Sequence, residues 1–202
     1  MTIHDVQQGS DEWKRLRLGK ITGTRIKDAL GANNLKLVDE LIAETVSDEI
    51  EEDAYLSASV QRGKEYEPIA IKAYEEVRGC RVKRIGFVTS KQRPWLGLSP
   101  DGCIVEERRG LEIKCPDTDT HVRYIRMNQL PNEHKYQAFA AFLVCPHMEE
   151  LDFVSYDNRF SIKPIWIHTV RRKDIQAELD TTLIALDKFY AKFQDYYQQV
   201  TF

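Results

Sequence analysis

The sequence predicts an α/β fold in a single domain, 1–202, with a central mixed β-sheet flanked by helices. Three observations carry that expectation. Apolar residues recur at helical spacing up to about residue 78, then alternate with polar ones over 81–115. Helix, strand and closing-helix patterns follow in turn. No internal repeat, proline-rich linker or low-complexity tract divides the 202 residues, a length that suits one core of roughly 100–200 residues.

Each element has its own signal. Residues 10–19, SDEWKRLRLG, read as a short helix: Ser10 can cap it, Asp11 and Glu12 suit the positive end of its dipole, and Gly19 can end it. Thr22 or Thr24 can cap a second helix toward Leu30. Leu37, Leu41, Ile42 and Val46 share one face of a helix from Leu35 to about Ile50. Over 58–78, Ile69, Ala70, Ala73, Tyr74 and Val77 recur at three and four, with a kink or fresh start expected at Pro68 and a stop at Gly79. Arg81–Val88 and Gly110–Cys115 alternate as strands, and pieces at Pro94–Ser99 and Cys103–Val105 flank a turn at Pro100-Asp101-Gly102. Glu133–Val144 reads as helix, Leu151–Ser155 and Pro164–Val170 as strands, and Lys173–Gln198 as a long closing helix.

Composition narrows the class. Hydrophobic residues at 42% and charged ones at 30% suit a folded globule rather than a disordered chain. No apolar run approaches the roughly 20 residues needed to cross a bilayer, and the start, MTIHDVQQGSDEW, lacks the basic and apolar regions of a signal peptide. Cys80, Cys103, Cys115 and Cys145 form no CxxC pair, which argues against a zinc ribbon or disulfide framework and points to a reduced cytoplasm. At face value the net charge of −3 speaks against a nucleic-acid binder. Yet eight of the 32 acids fall within 38–53, which holds no Lys or Arg, leaving 24 acids against 29 basic residues elsewhere. That acidic run reads as a solvated helix face on the outer surface.

The chemistry concentrates in residues 99–116, SPDG followed by GLEIKCP. Strand periodicity puts Glu112 and Lys114 on one face and Ile113 on the other, and a hairpin returning from Asp101 can set its carboxylate beside Glu112. Two carboxylates and a backbone carbonyl make a hard oxygen site suited to magnesium. A lysine beside them can hold a water and offset developing phosphate charge. A bare pattern of this kind also occurs by chance, as a turn aspartate next to a salt-bridged strand.

Four ordered blocks give that pattern a context: EWKRLRLGKITGT at 12–24, RGKEYEPIAIKAYE at 62–75, SPDG with LEIKCP, and Tyr136-Gln137 in HKYQAFAAF. Together they resemble the PD-(D/E)xK nucleases and, within them, the phage lambda exonuclease or YqaJ-type alkaline exonuclease family. The resemblance implies a restriction-endonuclease-like core and a processive 5′→3′ exonuclease. Its substrate would be linear double-stranded DNA, with 5′-mononucleotides released and a 3′ overhang left. Asp101, Glu112, the Ile113 carbonyl and Glu67 would hold two magnesium ions, with manganese able to substitute. Lys114 would orient and activate the attacking water, and Gln137 would touch that water or the scissile phosphate. Arg17, with Thr22 and Thr24, would hold the terminal 5′-phosphate. Val60, just before the second block, is the candidate wedge between the strands, and Arg62 is expected to meet DNA beside it. The resemblance also implies a homotrimeric ring, a single-strand annealing protein as partner, and a phage or prophage protein in the bacterial cytoplasm. The residues alone leave open a PD-(D/E)xK endonuclease of restriction or repair type, and a non-catalytic DNA-binding protein of the same fold. Outside these blocks, Arg81, Lys83, Arg84, Arg108 and Arg109 are expected to meet phosphates, and His121, His134 and His147 to be structural or surface residues.

Overall fold

A short strand, β1 (Thr2–His4), leads into helix α1 (Asp11–Arg17), where the Ser10 hydroxyl accepts the Trp13 N–H at 3.2 Å. The chain leaves α1 through Gly19 at φ +64°. The computed structural model describes residues 1–47 and 58–202, with the backbone alone at 58–60. The helix expected after Thr22 or Thr24 is a single turn, α2 (Ile26–Ala29), entered from Arg25 without a side-chain cap. Helix α3 (Leu35–Ser47) buries Leu37, Val38 and Leu41. Helix α4 (Ala58–Arg78) runs without a break through Pro68, so no fresh start occurs there. Pro68 and Lys64, the residue whose carbonyl loses its partner there, are both exposed, so the ring points outward and water can serve the carbonyl. Gly79 then ends the helix at φ +65°.

The strand expected over Arg81–Val88 is shorter and later, β2 (Phe87–Thr89). Val6 passes so close to Gly86 that an added Cβ would lie 1.9 Å from its carbonyl oxygen, and upstream Lys83 makes an isolated antiparallel bridge to Cys103. Strands β3 (Gly97–Leu98), β4 (Gly102–Ile104) and β5 (Arg109–Lys114) follow. Helix α5 (Thr118–Met127), which sequence patterning did not anticipate, ends at Asn128 in the left-handed region. A 3₁₀ turn (Asn132–His134) runs into α6 (Lys135–Val144), then β6 (Glu150–Tyr156), β7 (Ile165–Arg171) and the closing helix α7 (Arg172–Thr201).

Two sheets result. One is antiparallel, ordered β1-β2-β3; the other is mixed, ordered β4-β5-β6-β7, with β5 and β6 parallel. Helix α6 is apolar nearly all round, burying Ala138, Phe139, Ala140, Ala141, Phe142 and Val144 in the main core with α3 and α7. Helix α4 covers the other face of the mixed sheet, packing Ala70, Ile71 and Tyr74 on Leu111, Ile113, Val154 and Tyr156.

Two buried aspartates fasten α4 to β6 and its exit. Asp152 accepts the Tyr74 hydroxyl at 2.7 Å and pairs with Arg78 at 2.8 Å and Arg109 at 2.9 Å. Asp157 accepts Arg62 at 2.8 Å, the Arg159 Nε at 2.9 Å and the Thr118 hydroxyl at 2.5 Å, so one carboxylate joins α4 to the start of α5. Burial opposes the Asp157 charge, but Arg159 and Thr118 outweigh it and hold its pKa near about 2. Such carboxylates are tolerated inside because every one of their oxygens meets a donor.

The basic cluster expected to meet phosphates is largely committed within the protein. Arg81 pairs with Glu75, Arg84 with Glu67, Arg108 with Glu149, and Arg109 with Glu107, Glu150 and Asp152. Of the acidic run, Asp39 and Glu40 are exposed as expected, Glu44 turns inward, and 48–53 lies outside the described residues. Among the described residues no helix is long and apolar enough to cross a membrane.

Candidate active site

Asp101 sits where β3 hands over to β4. The next residue is glycine for a steric reason: a Cβ on Gly102 would lie 2.3 Å from Val82 Cγ1. The antiparallel register pairs Gly102 with Leu111, which brings the Asp101 carboxylate over β5, where its Oδ2 accepts the Ile113 N–H at 2.6 Å. Glu112 and Lys114 project from the face of β5 opposite α4, Glu112 only 6% exposed and bonded to the Lys114 ammonium at 2.6 Å.

The electrostatics of this trio are unbalanced. Burial, then the neighbouring Glu112 charge, pushes the Asp101 pKa well above the usual carboxylate range. Burial opposes the Lys114 charge, but Glu112 and Asp101 outweigh it and raise its pKa. Lys114 is therefore a protonated donor facing two carboxyl groups, and one cation cannot fully serve both. Glu67 on α4 lies within their field. Burial raises its pKa and Glu112 adds to the rise, while Arg84, bonded at 2.5 Å, and Lys114 oppose it.

The opposite wall is cationic. Arg17 donates to the Ser99 hydroxyl at 3.0 Å, Trp13 Nε1 donates to the same oxygen at 2.9 Å, and the guanidinium lies 4.3 Å from the Trp13 ring centre. Burial, with Arg25 adding repulsion, lowers the Arg17 pKa to about 10 despite the attraction of Glu44. Arg25 is held by both oxygens of Glu44, which also accepts the Gly19 N–H at 2.9 Å. The Thr22–Thr24 turn is pinned to β3, because Ile21 N–H donates to Trp95 at 2.8 Å and Gly97 N–H to Ile21 at 3.0 Å. A Cβ on Gly23 would lie 3.3 Å from Gln137 Cα, so the turn rests directly on α6. Thr22 and Thr24 do not cap a helix; their hydroxyls lie 3.4 Å apart at this wall.

Arg17, Thr22, Thr24, Ser99, Asp101, Glu112, Lys114 and Gln137 line one pocket of about 100 Å³. Residues from three of the four sequence blocks thus converge on one space. Glu67 stands outside the lining. Arg62 points away: it binds Asp157 and the Pro116 carbonyl and covers the Tyr66 ring, although a DNA contact was expected of it. Val60 lies in the first turn of α4, and its side chain is outside the described residues.

Sequence reasoning passed over Ser99, Glu44, Tyr124 and His134. Ser99 stood inside a quoted block, and His134 precedes Gln137 by the three residues that bring side chains together at a helix start. The sequence placed His134 among the structural or surface residues.

Among the described residues no group of three His, Cys, Asp or Glu side chains could by itself hold a metal ion. The donor set still suits a hard divalent cation, since Asp101 and Glu112 repel one another in a buried space and a carbonyl and waters can complete a shell. The same pocket presents an arginine whose charge is destabilised by burial. It can therefore hold a cation and an anion side by side.

The model of the YqaJ-like viral recombinase domain matches residues 12–146. The alkaline exonuclease LHK-Exo from Laribacter hongkongensis, solved alone and in complex with dAMP, superposes with a TM-score of 0.82 at 29% identity, covering 95% of this chain and 96% of that one. A phage-related exonuclease from Haemophilus somnus 129PT shares the fold, with a TM-score of 0.59 at 13% identity over 88% of this chain and 96% of that one. No curated protein matches at a significant level.

Proposed function

The chain belongs to the YqaJ-like viral recombinase domain family, and on that premise we propose that it is a magnesium-dependent, processive 5′→3′ exonuclease acting on linear double-stranded DNA. It releases 5′-mononucleotides and leaves a 3′ overhang that serves recombination by single-strand annealing. The observation that carries this reading is the single small pocket in which Arg17, Thr22 and Thr24 stand opposite Asp101, Glu112 and Lys114. A free 5′-phosphate and the adjacent scissile phosphate are two anions at a fixed spacing, and the pocket offers a cationic wall for one and a cation-demanding wall for the other. The likeness to an exonuclease solved with dAMP, a nucleoside monophosphate, supports the product class.

Asp101, Glu112 and the Ile113 carbonyl would hold magnesium, with Glu67 assisting once it leaves Arg84. When bound, the ion supplies positive charge against the attacked phosphate and lowers the pKa of water. Lys114, protonated and fixed by Glu112, orients the attacking water and donates to a phosphate oxygen. Arg17 grips the terminal phosphate with a planar fork that a lysine lacks. Each cleavage exposes a new 5′-phosphate, whose attraction to Arg17 draws the duplex forward. Val60 is proposed as the strand-separating residue, and Arg62 steadies its helix through Asp157. We place one catalytic domain over 1–202 in a homotrimeric ring around DNA, with an annealing protein as partner in the cytoplasm of a phage-bearing host.

The test is digestion of linear duplex bearing 5′-phosphate or 5′-hydroxyl, with magnesium or chelator, by wild type and Lys114→Ala. Mononucleotide release should require magnesium and Lys114, favour 5′-phosphate and spare closed circles. Release that ignores both chelator and Lys114→Ala, or cutting of circles, would overturn the reading.

A further inference from the structure

His134 lies outside the pocket lining and yet touches the one amide that lines it. Its Nδ1 is 3.1 Å from Gln137 Oε1, and its Nε2 is 3.0 Å from the Tyr124 hydroxyl. The ring is stacked on Phe153, centroids 5.2 Å apart, and meets the Tyr124 ring edge-on. Phe153 is the β6 partner of Glu112 in the parallel register. The imidazole is thus boxed by aromatic faces directly beneath the strand that carries the acidic wall.

Hydrogen-bond chemistry gives this chain of contacts a direction. A glutamine Oε1 can only accept, so Nδ1 must carry the proton. A neutral ring then leaves Nε2 as an acceptor facing the Tyr124 O–H, whose one proton is shared between this nitrogen and the Glu133 carboxylate. Burial first, and the Lys114 charge second, lower the His134 pKa, which keeps the ring neutral. Burial, with Glu133 adding, pushes the Tyr124 pKa up to about 12, so its proton stays in place. The same hydroxyl has a longer contact, 3.2 Å, to Glu133.

We propose that His134 is a positioning residue that fixes the Gln137 amide with its NH₂ toward the pocket, so that Gln137 acts there as a hydrogen-bond donor to phosphate. This deepens the nuclease reading and rests on it for the phosphate. With its oxygen turned to His134, Gln137 presents its N–H groups to the pocket. A donor at that point binds phosphate oxygens and would not serve as an acceptor for water. The histidine read from the sequence as structural or surface therefore acts through the residue three positions later.

Two measurements decide it. In wild-type protein, ¹⁵N shifts of the His134 ring should show the proton on Nδ1; a proton on Nε2 would overturn the proposal whether or not the protein cuts DNA. In single-turnover digestion of 5′-phosphorylated duplex, His134→Phe keeps the stack on Phe153 and should lower the rate about tenfold, as small misplacements of a reacting group do. The same change should cost nothing further in a Gln137→Ala background. Equal losses in both backgrounds would mark His134 as a general structural residue and overturn the proposal. Gln137→Glu, which exchanges the donor for a carboxylate, should lose more than Gln137→Ala; equal or better activity than Gln137→Ala would count against the donor role. Absence of cutting by wild type would reject the nuclease reading and leave the ring measurement to decide His134.

Discussion

The two walls of the pocket are displaced from their ordinary chemistry in opposite directions by the same cause. On one wall, burial makes the Asp101 carboxylate harder to ionise, and Glu112 beside it adds to the effect. On the other, burial makes the Arg17 guanidinium easier to discharge, and Arg25 adds to that. Neither wall is fully relieved by its own neighbours, since Lys114 is claimed by Glu112 and Glu44 is held by Arg25. Elsewhere the protein buries charge with complete partnership, as at Asp152 and Asp157, whose pKa values fall. Burial is therefore not itself the signal of a site; burial without full compensation is. The pocket is built for ligands that bring both signs of charge.

The largest test of this contrast is Lys114→Ala, which should lower the cleavage rate by at least about 10³-fold, because it removes the one protonated donor from the acidic wall. A loss under about tenfold would place the chemistry elsewhere. Arg17→Ala should cost about 10²-fold on 5′-phosphorylated ends, the scale of one preorganised donor, and much less on 5′-hydroxyl ends. An equal loss on both would remove terminal-phosphate recognition from that wall.

Stability against pH separates the walls further. A carboxyl whose folded pKa is raised binds more protons in the native state, so its contribution is complete below its unfolded value and fades as pH climbs through the raised one. In chelator, the melting temperature of wild type should fall as pH rises above the ordinary Asp value of 3.8. Asp101→Asn should flatten that fall, and magnesium should reverse it in wild type by favouring the charged form. A fall unchanged in Asp101→Asn would assign it to other groups. For Arg17 the sign is opposite: a base with a lowered folded pKa carries its cost below about 10, and the cost eases above. Inorganic phosphate at neutral pH should therefore stabilise the fold by about 2.7 kcal/mol at a hundredfold excess over its Kd, read as a raised melting point, and Arg17→Met should remove that gain. Phosphate stabilising both proteins alike would break the comparison at its smallest effect.

The legible parts of the fold were those with local cause. The Asp101 turn and the Glu112-x-Lys114 alternation could be read within a few residues, and the structure places these side chains together as strand parity demands. Helix α1 was legible from its Ser10 cap. The unread parts depend on distant contacts. Arg62 has the composition of a DNA contact, but its partner Asp157 is 95 positions away. Residues 81–86 alternate as a strand should, but pairing there is confined to an isolated bridge between Lys83 and Cys103, 20 positions away. Helix α5 buries His121 and Tyr124 on one face, and a histidine does not register in an apolar count. The convergence of Arg17 with Asp101 in one pocket follows from Ser99, which binds Arg17 and stands two residues before Asp101.

The double fastening of α4 has a consequence for chain length. Arg62 and Arg78 lie roughly 24 Å apart along the helix axis at 1.5 Å per residue. The two aspartates they reach lie roughly 17 Å apart along extended chain at 3.4 Å per residue. Two rulers with different gradations are clamped at both ends, and side-chain reach closes the difference in one alignment only. Deleting or inserting a residue between 62 and 78 would turn part of the helix by about 100° and release one clamp. Glu67 lies between the clamps and would swing off the sheet with it. Length variation in this protein is therefore expected to collect outside the clamped interval.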